Sequence, residues 1–261
     1  MIIEDQALHG DSMRTIGVAI GPPGQEGEFH SPGPILLAER GRPLDVTVVN
    51  RLAQSTAIHW HGLELFSFWD GVAGWSGAGP QIAQPIAAGD SFVAHLTVPR
   101  AGTFIYHTHL NDLSQMTAGL YGPLLVLEPG TVFDPSRDHV FTIGWDGAGS
   151  SSDPTIVNGA VTAAPLELKA GVAHRLRFIN IGVAGQVALE LRRDSAPASW
   201  RVVAVDGADL PAGRQHDGPA LRVFDVGMTF DALFTPAPGD YMLQIPTGDT
   251  TYSYRQRIVA R

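Results

Sequence analysis

The sequence predicts an all-β protein built as two β-sandwich or barrel domains, and three observations predict it. Short runs rich in Val, Ile, Thr, Phe and Tyr recur along the chain, as strands require. Thirty glycines and nineteen prolines break these runs into many turns, and no long helical period lies between them. A polar stretch from Glu128-Pro129-Gly130 to Pro135-Ser136-Arg137-Asp138 has linker character and divides the strands into two series of similar length. A single large sandwich is the alternative organisation.

Taken in order, residues 1–34 read as an extended lead-in, because Gly21-Pro22-Pro23-Gly24 and Ser31-Pro32-Gly33-Pro34 punctuate a stretch with little apolar periodicity. Its two histidines, His9 and His30, read as surface groups. The first domain follows over 35–130. Its predicted strands are Ile35–Ala38, Leu44–Asn50, Ala57–Leu65, Ser91–Val98, Gly102–His109 and Tyr121–Leu127. Asn111–Gly119 is predicted as a short helix, with Asn111 as its cap and Gly119 as its stop. The second domain spans 138–261. Strands are expected there at His139–Trp145, Thr155–Val161, Leu166–Leu168, Ala173–Asn180, Gln186–Leu191, Trp200–Val205, Leu221–Val226, Phe230–Phe234, Tyr241–Ile245 and Tyr252–Val259. No close repeat relates the halves at the level of identity.

Composition limits the functions open to such a chain. Apolar residues make up 44% and charged residues 16% of 261, which suits packed domains rather than disorder. The net charge is −9 and no basic cluster occurs, so neither feature favours nucleic acid. No run approaches the roughly 18 apolar residues of a membrane-spanning helix. The first residues, Met1-Ile2-Ile3-Glu4-Asp5, are acidic where a signal peptide is basic. There is no cysteine, hence no disulfide and no thiolate chemistry.

The chemistry concentrates in Ile58-His59-Trp60-His61-Gly62 and Tyr106-His107-Thr108-His109. Each is a His-x-His in a predicted strand, and alternate strand residues face the same way, roughly 6–7 Å apart. His59, His61, His107 and His109 can therefore converge on a metal, and imidazole suits copper, zinc, iron or nickel. The plain alternative is that they line a polar sheet face. Trp60 points the opposite way, into the core. His95, His139, His174 and His216 stand alone in sequence and read as structural or surface histidines. A zinc hydrolase would need three protein ligands and a general base, and no His-Glu-x-x-His, P-loop or Gly-x-Ser-x-Gly occurs. The glycines at 71, 74, 77 and 79 read as a loop.

These motifs, with Trp69-Asp70-Gly71-Val72, Gln84-Pro85-Ile86, Gly89-Asp90-Ser91-Phe92 and Gly119-Leu120-Tyr121-Gly122-Pro123, resemble the first domain of multicopper oxidases, the laccase-like family. Val157-Asn158-Gly159, Arg175-Leu176-Arg177-Phe178-Ile179-Asn180 and Val205-Asp206-Gly207 resemble that family's copper-free middle domain. The resemblance implies two cupredoxin-like Greek-key β-sandwiches, copper as cofactor, dioxygen and a small reducing substrate as reactants, and an exported or periplasmic location. It implies that His59 binds type 2 copper, that His61, His107 and His109 bind the type 3 pair, and that Asp70 supplies protons nearby. Asp70 reads equally well as the turn residue before Gly71.

The chain departs from the family in one respect that matters. Family members complete the trinuclear centre with eight histidines, four of them from a domain that also holds type 1 copper through a cysteine. Neither that domain's His-Pro-x-His-x-His nor its His-Cys-His stretch occurs here. The expected chemistry is a copper oxidoreductase with half of a type 2/type 3 centre and no type 1 site. A homo-oligomer or a partner domain would complete it, two-fold dimers being the commonest assembly. A non-catalytic copper-binding protein for storage, delivery or tolerance is the alternative.

Overall fold

The computed structural model describes residues 1–6, 15–145, 154–182, 185–246 and 253–261. It divides into two compact units, Met1–Thr131 and Val132–Arg261, so the division falls inside the polar stretch at 128–138. No described helix is long and apolar enough to cross a membrane.

The first unit contains strands β1 (Ile2–Gln6), β2 (Thr15–Ala19), β3 (Leu36–Glu39), β4 (Leu44–Asn50), β5 (Ile58–His61), β6 (Gly77–Ala78), β7 (Gln81–Ile82), β8 (Ser91–Leu96), β9 (Gly102–Thr108) and β10 (Tyr121–Leu127). Its two sheets run β2-β1-β4-β8 and β3-β10-β9-β5, with β6 and β7 as a small separate ribbon. Apolar side chains fill the space between the sheets: Val46 and Val48 from β4, Ala94 and Leu96 from β8, Trp60 from β5, Phe104 and Tyr106 from β9, and Leu124 from β10. In β4 every second residue is buried and its neighbours face outward, the period-two pattern of a sheet covered on one face.

Residues 1–34 are not the extended lead-in the sequence suggests. β1 pairs antiparallel with β2 and parallel with β4, and Ile3, Ile16 and Val18 lie in the core. Acidic Glu4 and Asp5 obscure the apolar pattern of β1, and parallel pairing with β4 leaves no local turn signal. His9 lies outside the described residues. The expected helix over 111–119 is α1, Asp112–Thr117. Asn111 does not cap it through its side chain; it occupies the left-handed region at φ 56, a conformation asparagine tolerates better than most residues. Gly119 follows at φ +96.

The second unit contains β11 (Asp138–Trp145), β12 (Thr155–Val157), β13 (Leu166–Leu168), β14 (His174–Asn180), β15 (Val187–Arg193), β16 (Ala196–Pro197), β17 (Ser199–Val205), β18 (Ala208–Asp209), β19 (Asp217–Pro219), β20 (Leu221–Phe224), β21 (Thr229–Phe234), β22 (Gly239–Ile245) and β23 (Tyr254–Ala260). Its sheets run β12-β11-β14-β21-β17-β18 and β13-β23-β22-β15-β16, with β19 on β17 and β20 on β15. Its core is richer in aromatic rings, and Phe178 stacks between Phe141 and Phe230 at centroid distances of 4.9 and 4.8 Å.

The two units repeat one topology. In each, an antiparallel pair (β2·β1, β12·β11) leads through a parallel contact (β1·β4, β11·β14) to an antiparallel partner (β8, β21). In each, the second sheet begins with a parallel pair (β3·β10, β13·β23) and continues antiparallel (β9·β5, β22·β15). Strand β5 thus corresponds to β15, and β9 to β22.

Candidate metal centre

Strand geometry builds the site. In β5, Ile58 and Trp60 are buried, while His59 and His61 are half-buried on the other face. Antiparallel pairing with β9 sets His59 opposite His107 and Trp60 opposite Tyr106. One face of this strand pair therefore carries an indole and a phenol into the core, their centroids 6.5 Å apart. The opposite face carries imidazoles. His109 lies just beyond β9, where its N–H donates to the Ala57 carbonyl at 3.1 Å.

The rings converge. His59 lies 5.4 Å from His61, 5.3 Å from His107 and 5.5 Å from His109, centroid to centroid. Nitrogens of His59, His61 and His107 all fall within 4.8 Å of one another. His109 is a neighbour of this trio rather than a member, its ring 5.8 Å from that of His107 and its Nδ1 3.5 Å from Asp112 Oδ2.

Hydrogen bonds fix which nitrogens face the cluster. His107 Nδ1 donates to the Thr108 carbonyl at 2.6 Å, which leaves Nε2 as the lone-pair nitrogen, 3.3 Å from His61 Nδ1. His59 Nδ1 donates to the Asp70 carbonyl at 3.0 Å, with Asp70 Oδ1 at 3.3 Å, so Nε2 is its lone-pair nitrogen too. Burial lowers the His107 pKa to about 3, and the charges of His59, His61 and His109 add to that effect, so the ring is neutral near pH 7. His107 thus has the properties of a metal ligand, a neutral imidazole with an oriented lone pair. Two nitrogens on one ion at about 2.0–2.1 Å stand at most about 4.2 Å apart. The 4.8 Å set closes on an ion with a small ring rotation, or suits more than one ion.

The loop after β5 supports His59. Burial works against ionisation of Asp70, but the His59 hydrogen bond, the His59 charge and a hydrogen bond from Ser76 outweigh it and hold the carboxyl below its usual range. Ser76 Oγ donates to Asp70 Oδ2 at 3.3 Å and accepts from the Val72 N–H at 2.9 Å. Gly71 makes this approach possible. Its φ is +84, and a Cβ there would sit 1.8 Å from the Ile58 carbonyl oxygen. Asp70 is thus both the turn residue before Gly71 and a contact of His59.

The second unit fills the corresponding sheet positions differently. Glu190 of β15 lies opposite Gln244 of β22, as His59 lies opposite His107. Gln244 Nε2 donates to Glu190 Oε2 at 2.8 Å, and Arg192, at the position of His61, donates to Glu190 Oε1 at 2.7 Å. These groups hydrogen-bond to one another and include no imidazole.

Of the remaining histidines, His30 and His216 are exposed, and His95 sits at the surface with its Nδ1 2.6 Å from Asp45. His139 and His174 are not isolated in space. Both are buried, and His139 Nε2 lies 3.2 Å from His174 Nδ1. The parallel β11·β14 contact brings together two residues that are 35 positions apart. Ser76, which holds Asp70, carries no motif in the sequence; a serine in a turn-rich segment is too common to stand out.

Residues 26–131 match the sequence model of the family described as multicopper oxidase. A laccase of Phlebia radiata is 34% identical over 233 residues, covering 87% of this chain and 38% of that protein. A dihydrogeodin oxidase of Aspergillus terreus is 33% identical over 170 residues, covering 56% of this chain and 27% of that protein. The chain thus spans well under half the length of these curated relatives. Among solved structures, the blue copper oxidase of Nitrosomonas europaea superposes with a TM-score of 0.76 at 22% identity, over 99% of this chain and 84% of the other. A laccase-like multicopper oxidase from Ochrobactrum sp. does so with a TM-score of 0.79 at 20% identity, over 100% and 60%. At these identities the structures speak to the fold alone, a pair of cupredoxin-like β-sandwiches.

Proposed function

We propose, from the premise that this chain carries a domain of the multicopper oxidase family at residues 26–131, that it is a copper oxidoreductase component holding half of a type 2/type 3 centre for dioxygen reduction. His59 is the type 2 ligand in this reading, and His61, His107 and His109 are the type 3 ligands. The observation that carries it is the convergence of His59, His61 and His107 nitrogens within 4.8 Å, with two of the three rings held in the tautomer that presents Nε2. Copper bound there would supply electron transfer to dioxygen.

The chain's own groups have definable parts in this. The Asp70 and Thr108 carbonyls orient His59 and His107. The Asp70 carboxylate, ionised and in contact with His59, is placed to accept and pass a proton at Oδ1. In this reading a further set of imidazoles completes the centre, from a second copy of this chain or from another domain. A two-fold arrangement would double the imidazole count through one self-complementary face.

A second reading takes these imidazoles by themselves, without the thiolate that a type 1 site needs. In that reading the same imidazoles bind copper for storage, delivery or tolerance, without turnover. Metal analysis combined with oxygen uptake decides between them. The oxidase reading expects about three coppers per two chains and oxygen consumption when ascorbate or a phenol is added. Bound copper with no oxygen uptake supports the carrier, and a chain that retains no copper contradicts both.

A further inference from the structure

A second polar assembly adjoins the imidazoles through Thr108, whose carbonyl accepts from His107 Nδ1. Gln115, on α1, is fully buried, as are Thr56 and Thr108. Gln115 Oε1 accepts from Thr56 Oγ1 at 2.8 Å and from Thr108 Oγ1 at 2.7 Å, and its Nε2 donates to the Ser55 carbonyl at 2.9 Å. A carbonyl can only accept, so the Ser55 contact fixes which end of the amide is nitrogen.

These partners sit at consequential places. Thr108 separates His107 from His109, and its own carbonyl holds the His107 Nδ1–H. Its Oγ1 also accepts from the Leu110 N–H at 3.3 Å, which steers the chain as it leaves β9 through His109. Thr56 lies three residues before His59, and its backbone pairs with Ile86 in both directions at 2.8 and 3.0 Å. Gln115 therefore ties the segment entering β5 to the segment leaving β9. Those two segments carry both histidine doublets.

We infer that Gln115 is a positioning residue for the metal centre: it sets the mutual placement of the β5 and β9 histidines, and the tautomer of His107, through Thr56 and Thr108. The inference rests on the copper reading for its metal consequence but not for its tautomer consequence. A buried network of this kind, fully satisfied, specifies one arrangement; with one member removed, its partners are left unpaired in a low-dielectric interior. Outer partners of metal ligands typically change metal affinity by 10–100-fold when replaced.

The test uses the whole chain with Gln115→Met, which keeps the side-chain length and removes both hydrogen-bonding ends, and with Thr108→Val, which removes the hydroxyl and keeps the shape. Val46→Ala, in the opposite sheet of the same unit, serves as a destabilised control. Copper(II) titration should show a 10–100-fold weaker site in both network variants, with altered electron paramagnetic resonance parameters, and no change in the control. Long-range proton–nitrogen spectra of the metal-free protein should show loss of the single Nδ1–H tautomer of His107 in Gln115→Met. Wild-type affinity, spectrum and tautomer in Gln115→Met would overturn the inference, as would a loss matched by Val46→Ala. If the wild type binds no copper, the copper reading fails, and the metal-free spectra alone decide the part played by Gln115.

Discussion

The sheets β3-β10-β9-β5 and β13-β23-β22-β15 are built on one plan, yet one carries converging imidazoles and the other a carboxylate bonded to a guanidinium and an amide. At matched positions the first carries His59, His61 and His107, and the second carries Glu190, Arg192 and Gln244. The second set closes on itself through hydrogen bonds of 2.7 and 2.8 Å. In the first, the His59 and His107 N–H groups go to backbone carbonyls, and His61 Nδ1 lies 3.3 Å from His107 Nε2. Three side-chain identities on a shared plan thus separate a self-bonded polar set from a cluster of imidazoles.

Substitutions can break that contrast, and the largest expected effect is on metal. His107→Ala should weaken copper binding by more than about 100-fold, since even outer-sphere changes reach that range. Gln244→Ala, at the corresponding position of the second unit, should leave it unchanged. Copper(II) titration of both variants checks this, and equal losses would show that the matched sheets do not differ as described.

Backbone comes next. Gly71→Ala should destabilise the first unit by about 3 kcal/mol or more, because the added Cβ meets the Ile58 carbonyl oxygen at 1.8 Å. Gly171→Ala, at φ +71 but with open space around it, should cost only about 1 kcal/mol. Urea unfolding followed separately for each unit distinguishes the two; similar costs would mean that the loop bearing Asp70 is not pressed against β5.

Smaller again is the effect of opening the self-paired set. Glu190→Leu leaves Arg192 and Gln244 without their shared acceptor and should cost about 1–2 kcal/mol in the second unit. It should not create a copper site, since Gln244 and Arg192 supply no imidazole.

The pH response is the mildest. Burial, then the charge of His174, lowers the His139 pKa, although Asp138 and Asp134 oppose this. Well above pH 6.5 both folded and unfolded chains hold His139 neutral, so it contributes no pH dependence there. As pH falls below 6.5, the unfolded chain takes up a proton that the folded unit resists, and stability declines. His139→Gln should flatten that acid slope for the second unit. An unchanged slope in chemical denaturation between pH 4.5 and 7 would assign the acid sensitivity to other groups.

Strands β4, β5, β8, β9 and β10 were legible because each alternates or bears β-branched and aromatic residues between clear turns. So was the imidazole doublet, since a period of two converts His-x-His directly into two rings on one face. Strands β1 and β2 were hidden by acidic residues and by a parallel pairing that no local pattern records. The topological repeat was equally hidden, because topology survives when His59, His61 and His107 are exchanged for Glu190, Arg192 and Gln244. The contact between His139 and His174, and the reach of Gln115 to Thr56 across 59 residues, depend on tertiary register.

The central claim is that imidazoles of β5 and β9 jointly hold copper. Pulsed electron paramagnetic resonance of the copper(II)-loaded whole chain counts the imidazole nitrogens bound to the ion. The account predicts at least two imidazoles, with one lost in His107→Ala. A copper signal with no imidazole coupling, or one that His107→Ala leaves untouched, would contradict it.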